Sequence, residues 1–435
     1  MSRTEDVREA DTRCLIIHPH INGQGTSAQY ARSHLGEAAG LAEAIDLRVA
    51  HAEIVTVNRP RPGTFLGSGT VERIGENAKI IHENAEGPLI IVMDCALSPI
   101  QQRNLERAWE CKVIDRTGLI LEIFGARART REGRLQVELA ALSYQRSRLV
   151  RSWTHLERQR GGAGFMGGPG ERQIELDRRL IDQRIDRIKR DLKDVQRTRA
   201  LHRKARKKVP YPVVALVGYT NAGKSTLFNR LTGATVMVKD QLFATLDPTM
   251  RAIDLPGGQR AVLSDTVGFV SSLPHELVNA FRATLEEVNE ADLIIHVRDI
   301  SHPETETQKR DVLGVLQELK ISEPAQAAMI EALNKIDLID GDDRVAVQTR
   351  TKRQNERVVA LSAETGEGCS DLLEAMADHL SAGYEMLDLQ IDPADGRRLA
   401  WLYEHGDVVE RTDTAEIIQL TVRLSPIEAA RFQQQ

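Results

Sequence analysis

The amino-acid sequence predicts an α/β protein built around a doubly wound sheet. Apolar strand-like runs alternate with segments of helical period in residues 14–124, the same alternation returns after residue 212, and two heptad-spaced helices lie between. A short alternating segment ends the chain. We therefore expect an N-terminal α/β domain at 1–125, a basic antiparallel helical hairpin at 126–208, the doubly wound domain at 209–382 and a small C-terminal α/β domain at 383–435.

Length and composition indicate a soluble globular protein of several domains. The 435 residues exceed what one core usually organises, and shares of 41% hydrophobic and 28% charged residues exclude collagen-like, mucin-like and wholly disordered chains. The four cysteines form no CxxC pair, which argues against a zinc site. No apolar run is long enough for a membrane span, and the first residues are charged, unlike a signal peptide. We expect a cytoplasmic monomer, with a peripheral membrane association left open.

Four strand-like runs predict the N-terminal domain. They begin at Cys14, Ala52, Leu89 and Cys111. A helical segment at 98–110 separates the last two runs. The sequence FLGSGT at 65–70 either contacts a phosphate or simply starts a helix. Because two glycines are a weak signal for a phosphate site, we favour the helix start.

Two helices with a heptad repeat predict the hairpin. The apolar residues that fall seven apart are Leu135, Leu142, Leu149 and Leu156 in the first helix and Ile174, Ile181, Ile188 and Val195 in the second. Residues 161–170 between the helices contain six glycines, which predicts a flexible tip. Arg146, Arg178 and Arg199 interrupt the apolar seam. We therefore expect part of each helix to pack on a neighbouring domain.

The hairpin carries a charge opposite to that of the rest of the chain. Residues 127–208 contain 24 Lys or Arg and 10 Asp or Glu, a net charge of +14, whereas the whole chain has −5 and the remainder therefore −19. A basic segment inside an acidic protein indicates an element that faces a polyanion. A solvated, charge-rich helix surface is the alternative.

The strongest motif lies at the start of the doubly wound domain. An apolar strand from Pro212 leads into GYTNAGKS at 218–225 and then into the helical TLFNRL, which is GxxxxGK[ST] between a strand and a helix. The glycines let backbone N–H groups approach phosphates, Lys224 reaches the β- and γ-phosphate oxygens, and Ser225 can bind Mg²⁺. The sequence thus predicts a nucleoside triphosphate site.

Three further motifs follow in the order that a nucleotide switch requires. DTVG at 265–268 places Asp265 where it can hold the Mg²⁺ shell and Gly268 where its N–H can meet a γ-phosphate. In NKID at 334–337, a carboxylate can accept hydrogen bonds from N1–H and the 2-amino group of guanine, which adenine cannot offer. Ser362 and Ala363 supply a second loop under the base. The domain is therefore predicted to be a P-loop GTPase.

Two further features of this domain are a pair of threonines in a candidate switch segment and a charged residue inside a strand. FATLDPT at 243–249 offers threonines for a mobile switch, and we favour Thr245 over Thr249 as the ligand of Mg²⁺ and the γ-phosphate. Glu331 stands inside the strand before NKID, where an apolar residue is usual. We expect Glu331 to lie at a sheet edge. Lys224, Thr245 and Gly268 are the catalytic candidates.

The strings beyond the nucleotide motifs resemble the HflX-type ribosome-associated GTPases. The resemblance covers nearly the whole chain, including ALSPIQQRNLER at 96–107, VIDRTGLILEIF at 113–124 and ARTREGRLQVELA at 128–140. It implies Mg²⁺ on Ser225 and Thr245. The GTP contacts carried over by motif are Gly218, Tyr219, Thr220, Asn221, Ala222, Gly223, Lys224, Ser225, Phe243, Ala244, Thr245, Leu246, Asp247, Asp265, Thr266, Val267, Gly268, Asn334, Lys335, Ile336, Asp337, Ser362 and Ala363. The tip departs from the family pattern, because Arg172 stands where threonine is usual.

The residue after DTVG is Phe269, where many GTPases have a glutamine that orients the attacking water. A phenyl ring can do neither proton transfer nor hydrogen bonding, so we expect slow intrinsic hydrolysis that a bound partner accelerates. Asn221 supports a second hypothesis, since similar asparagines in some GTPases help to hold K⁺ at the phosphates. The alternative is that Asn221 only braces the loop.

The resemblance also implies what the protein acts on. The GTP-bound form would dock on the 50S ribosomal subunit, with the hairpin against ribosomal RNA, and would split stalled or idle ribosomes under stress. Phosphate contacts would make this docking steeply salt-dependent. Two other functions stay open: an RNA-remodelling factor with an additional ATPase site near 65–70, and a GTP-gated regulator of a protease or membrane complex.

Overall fold

The computed structural model describes residues 12–22, 27–83, 87–159, 169–206, 211–233, 243, 249–271, 288–319, 321–353, 357–382, 384–414, 417–424 and 426–433. Within these ranges, no helix is both long and apolar enough to cross a membrane. The chain divides into two compact units. The first contains the N-terminal domain and most of the hairpin, and the second contains the nucleotide motifs and the C-terminal domain.

A four-stranded parallel sheet organises the N-terminal domain. Its elements are β1 (Arg13–Ile21), α1 (Ala28–Glu43), β2 (Arg48–Val57), α2 (Ser68–Glu83), β3 (Leu89–Met93), α3 (Pro99–Trp109), β4 (Lys112–Asp115) and α4 (Arg116–Arg127). The strand order is β2-β1-β3-β4. β1 is buried along most of its length, as is typical of a parallel sheet with helices on both faces. The predicted small α/β domain is confirmed.

The FLGSGT turn has a structural role in this domain. α2 begins within it, at Ser68, and Leu66 is fully buried in the core. Phe65 has a positive φ of 65° and exchanges two backbone hydrogen bonds with Arg61. The turn therefore starts a helix and closes the core.

Two long helices, α5 (Arg131–Gln159) and α6 (Pro169–Arg206), form the predicted hairpin. Arg184 of α6 pairs with Glu138 of α5 at 2.7 Å, and Arg146 of α5 pairs with Asp182 at 3.0 Å, which fits an antiparallel arrangement. α6 begins at Pro169, so Gly170 lies in its first turn, whereas the sequence had suggested a glycine tip up to that residue. Proline suits the first turn because its missing N–H would have no partner there. The other predicted tip residues lie outside the described ranges.

The carboxylate of Asp115, at the end of β4, attaches α5 to the N-terminal domain. Its Oδ1 accepts hydrogen bonds from the hydroxyl of Tyr144 at 2.7 Å and from the N–H of Gly118 at 2.8 Å. Its Oδ2 accepts from Arg148 at 3.3 Å and from the N–H of Leu97 at 3.2 Å. Part of the hairpin thus packs on a neighbouring domain, as its interrupted heptad seam predicts.

A six-stranded sheet forms the doubly wound domain. Its elements are β5 (Val213–Gly218), α7 (Lys224–Thr232), β6 (Thr249–Asp254), β7 (Arg260–Asp265), β8 (Leu293–Asp299), α8 (Thr305–Glu318), α9 (Glu323–Ala327), β9 (Ile330–Asn334), α10 (Gly341–Arg353), β10 (Val358–Ala360) and α11 (Cys369–Ser381). The order is β10-β9-β8-β5-β7-β6, and all neighbours are parallel except β6 and β7. The carboxyl ends of the parallel strands therefore meet at one edge, where ligands bind in such folds.

The expectation that Glu331 lies at a sheet edge was wrong. Its strand, β9, lies between β8 and β10. Glu331 accepts hydrogen bonds from Arg298 on β8, at 2.8 Å, and from Lys309 on α8. Burial opposes ionisation, but these two cations hold the pKa of Glu331 below its usual value. A carboxylate is tolerated inside the sheet because two cations pair with it. Both cations come from elements that are distant in sequence, so the sequence around Glu331 does not reveal them.

The C-terminal domain is a three-stranded antiparallel sheet with two helices. Its elements are β11 (Glu385–Ile391), α12 (Gly396–His405), β12 (Asp407–Asp413), β13 (Ile418–Leu424) and α13 (Pro426–Gln433). The strand order is β11-β13-β12. Leu402, Leu420 and Phe432 join the sheet and both helices in one small core. The predicted small α/β appendage is confirmed.

Candidate nucleotide-binding site

The phosphate loop connects β5 to α7 in a conformation that requires its glycines. A Cβ at Gly218 would lie 2.2 Å from the carbonyl oxygen of Val297 on β8. A Cβ at Gly223, where φ is +90°, would lie 2.2 Å from Nδ2 of Asn334. The loop therefore packs against the ends of two neighbouring strands. The loop leads directly into the N-terminus of α7, whose N-cap Gly223 has no side-chain cap, and a helix N-terminus favours the binding of an anion.

Lys224 lies at the centre of this loop and is almost fully buried. Its Nζ donates hydrogen bonds to the carbonyl oxygens of Gly218 at 3.1 Å and Tyr219 at 2.7 Å. Burial lowers the pKa of Lys224 to about 8, although the carboxylate of Asp265 acts in the opposite direction. Phosphate oxygens beside the amine would favour its charged form.

A hydroxyl and a carboxylate meet beside the lysine. Ser225 Oγ donates a hydrogen bond to Oδ2 of Asp265 at 2.7 Å, and Asp265 is buried at the carboxyl end of β7. Serine and aspartate oxygens are ligands that suit Mg²⁺. The other predicted Mg²⁺ ligand, Thr245, lies outside the described residues, as do Ala244, Leu246 and Asp247.

The segment after β7 lies against the phosphate loop. The N–H of Thr220 donates to the carbonyl of Phe269 at 2.6 Å, and the N–H of Phe269 donates to the carbonyl of Gly218 at 3.1 Å. The N–H of Ser271 donates to the hydroxyl of Tyr219 at 2.7 Å. The Phe269 side chain is buried, so the groups that this residue offers to the loop are those of its backbone.

Asn334 joins the phosphate end of the site to the base end. Its Nδ2 donates to the carbonyl of Ala222 in the phosphate loop, and its Oδ1 accepts from the N–H of Ala363, both at 2.8 Å. The next residue, Lys335, has a positive φ of 68° and pairs with Asp299 at 2.8 Å. One side-chain amide thus fixes the distance between two loops that are far apart in sequence.

Asp337 supplies the carboxylate expected at the guanine base. It follows the NKI turn in the short 3₁₀ segment Ile336–Leu338. Its Oδ1 is buried and has no hydrogen-bond partner among the described residues. A buried carboxylate oxygen without a donor is costly. The N1–H and 2-amino groups of guanine are donors of the kind that would satisfy it.

Two residues that the sequence interpretation missed hold the base loops. Asp299 ends β8 and binds Lys335, and its position at a strand's carboxyl end was an available signal. Arg230 of α7 donates to the carbonyl of Ala363 at 3.1 Å and to that of Glu364. Nothing in the local sequence distinguishes Arg230 from an exposed helical arginine.

Phe243 differs from the other predicted contacts, because it belongs to the first unit. It has a positive φ of 56° and is buried. Its ring packs edge-on against Phe124 of α4, with the centroids 4.7 Å apart. The structure therefore shows Phe243 as a packing residue of that unit, whereas the motifs at 218–225, 265–268, 334–337 and 362–363 lie in the second unit.

Comparison with protein families accounts for most of the chain. Models described as GTP-binding GTPase N-terminal, GTP-binding GTPase Middle Region, 50S ribosome-binding GTPase and HflX C-terminal domain match residues 32–125, 127–206, 213–335 and 346–435. The GTPase model thus covers the phosphate loop and ends at Lys335, inside the NKID motif.

Curated relatives match over most of their length. GTPase HflX of Magnetococcus marinus is 50% identical over 399 residues, which are 92% of this chain and 90% of the relative. GTPase HflX of Escherichia coli is 47% identical over 355 residues, 81% of this chain and 80% of the relative. A putative GTP-binding protein 6 of Xenopus laevis is 35% identical, covering 94% of this chain and 76% of the relative. The chain therefore belongs to the HflX family of GTPases.

Proposed function

We propose that this GTPase binds the 50S ribosomal subunit and splits stalled or idle 70S ribosomes under stress, acting as a monomer in the cytoplasm. The observation that carries the proposal is the match of residues 213–335 to the 50S ribosome-binding GTPase model. The matched range contains the phosphate loop and Asn334, and the side chain of Asn334 joins this loop to the second base loop at Ala363. GTP binding in this domain would then control docking of the whole chain.

The basic hairpin supports a ribosomal RNA partner. Its residues 127–208 carry a net charge of +14. Within the described part, Arg146 and Arg184 already pair with acids of the opposite helix, so they serve the hairpin itself. The surplus of positive charge remains for phosphate contacts, which release counterions and make binding strongly salt-dependent.

The nucleotide site supports a specific division of roles. Lys224 would contact the β- and γ-phosphates, and the N–H of Gly268 would contact the γ-phosphate. Mg²⁺ would neutralise phosphate charge, held by Ser225 and Thr245 with Asp265 behind them. The distance of 2.7 Å between Ser225 Oγ and Asp265 Oδ2 fits this oxygen-ligand arrangement.

The buried side chain of Phe269 supports slow intrinsic hydrolysis, because no side-chain base occupies that position. The bound ribosomal subunit would accelerate the reaction by ordering the switch segments. Asn221, with an exposed side chain and a φ of 59°, is our candidate for a K⁺ contact at the phosphates. Faster turnover in KCl than in NaCl would support it, and equal rates would remove it.

The test is GTP turnover with and without purified 50S subunits, with ATP as a comparison nucleotide. We expect strong stimulation that is specific for GTP and is abolished by Lys224→Ala. Sedimentation of 70S ribosomes with the protein and a non-hydrolysable GTP analogue would then show separated subunits. Absence of both stimulation and subunit separation would refute the proposal, and GTP turnover without ribosomes would still show the GTPase.

A further inference from the structure

The hydroxyl of Tyr219 is bonded to the segment that a γ-phosphate must meet. Tyr219 is the second residue of the phosphate loop, and its hydroxyl accepts the N–H of Ser271 at 2.7 Å. Both residues are buried. The backbone of Tyr219 also pairs with Phe269 in a parallel bridge. The loop and residues 268–271 are thus joined by main-chain bonds and by the side-chain bond of Tyr219.

Gly268 lies close to the amine of Lys224. A Cβ on Gly268 would stand 3.0 Å from Nζ of Lys224 and 2.9 Å from Cγ2 of Thr220. A phosphate oxygen bound to a lysine amine lies about 2.8 Å from Nζ. The backbone of Gly268 therefore lies so close to the amine that a γ-phosphate oxygen bound there would compete with it for space.

We infer that Tyr219 is a positioning residue that sets the discrimination between GTP and GDP. Its hydroxyl holds residues 268–271 against the phosphate loop, so GTP must break the bond to Ser271 before Gly268 can move to meet the γ-phosphate. GDP binds without breaking this bond. The inference rests on GTP binding by this domain, which the family assignment gives, and not on the proposed ribosomal role.

The effect of the hydroxyl follows from population arithmetic. We call molecules closed when the bond between Tyr219 and Ser271 is intact and open when it is broken. When closed molecules predominate, the apparent affinity for GTP is reduced by the ratio of closed to open molecules. One intramolecular hydrogen bond changes that ratio by about three- to tenfold. Tyr219→Phe keeps the ring and removes the bond. Affinity for GTP should therefore rise about three- to tenfold, and affinity for GDP should stay unchanged.

The experiment measures the dissociation constants of GDP and of the imido analogue of GTP by competition with fluorescent GDP, without ribosomes. Tyr384→Phe is the matched control, because it removes the hydroxyl of an exposed tyrosine in the same unit. The expected result is a higher ratio of analogue affinity to GDP affinity in Tyr219→Phe only. An unchanged ratio, or an equal change for both nucleotides, overturns the inference.

A second variant removes the other partner of the bond. Ser271→Pro lacks the N–H that donates to Tyr219, so it should also raise the analogue-to-GDP affinity ratio. Because both changes delete the same bond, the double variant should show no further increase beyond Ser271→Pro. Additive increases would show that Tyr219 acts through something else. Ribosome-stimulated turnover is not involved, so failure of the ribosomal proposal leaves this result intact.

Discussion

Asn334→Ala tests the idea that one side chain joins the two ends of the nucleotide site. In the structure its amide makes two buried hydrogen bonds of 2.8 Å, to the carbonyl of Ala222 and from the N–H of Ala363. Truncation leaves a buried acceptor and a buried donor. Each unsatisfied group costs about 1–3 kcal/mol. Water can enter the space left by the amide, so we expect a total of about 2–4 kcal/mol.

The assay for this change is hydrogen exchange at the amide of Ala363, combined with the GDP dissociation constant. Asn334→Ala should speed exchange of that amide by about 10- to 100-fold, the equivalent of one lost bond. GDP affinity should fall as well, because the carbonyl of Ala222 loses its donor and the phosphate loop loosens. Both readouts are local, so they do not depend on two-state unfolding of a chain with several domains.

Asn334→Asp separates the two bonds. Its carboxylate can still accept the N–H of Ala363, but it places an oxygen in front of the carbonyl of Ala222. We expect near-normal exchange at Ala363 and a large loss of GDP affinity. Normal protection of Ala363 in Asn334→Ala, or unchanged GDP affinity in both variants, would refute the joining role.

Three further outcomes follow from the site. Asp337→Asn should weaken GDP binding by about 100- to 10,000-fold through loss of two charge-assisted bonds and should favour xanthosine diphosphate, as competition titrations would show. Because burial lowers the pKa of Lys224 to about 8 in the nucleotide-free protein, GDP affinity should fall by up to about tenfold per pH unit above pH 8, whereas Lys224→Arg should be flat over this range. Burial also lowers the pKa of His296, which lies among Glu331, Arg298, Lys309 and Lys224, to about 4. The neutral form of His296 then stabilises the fold fully above pH 6.5, and about 3 kcal/mol of the free energy of unfolding should be lost on acidification to pH 4. Thermal unfolding at each pH measures this loss, which should be smaller in His296→Gln.

The nucleotide site could be predicted because its chemistry is local in sequence. GYTNAGKS binds phosphates through its own backbone, and the strand before it and the helix after it were visible as apolar runs. The heptad spacing likewise predicted α5 and α6, since helix pairing depends on a short repeat. In each case the residues that determine the element lie within it.

The features that could not be predicted depend on partners far apart in sequence. Glu331 was expected at an edge because its counter-ions, Arg298 and Lys309, come from another strand and a helix. Phe269 was judged by its side chain, yet in the structure its backbone carbonyl and N–H contact the phosphate loop. A motif tells which side chain stands at a position, and the main-chain path through that position is set by packing.

The four hydrogen bonds on Asp115 decide whether the first two segments of the chain can be separated. Separate family models match residues 32–125 and 127–206, as if these were independent modules. Yet Tyr144 and Arg148 of the second module share a carboxylate with Leu97 and Gly118 of the first. A segment that lacked Asp115, or one that lacked Tyr144 and Arg148, would leave the polar groups on the other side of the junction without these partners. The boundary between the two family models is therefore a hydrogen-bonded junction built on one buried carboxylate, and not a linker between independent domains.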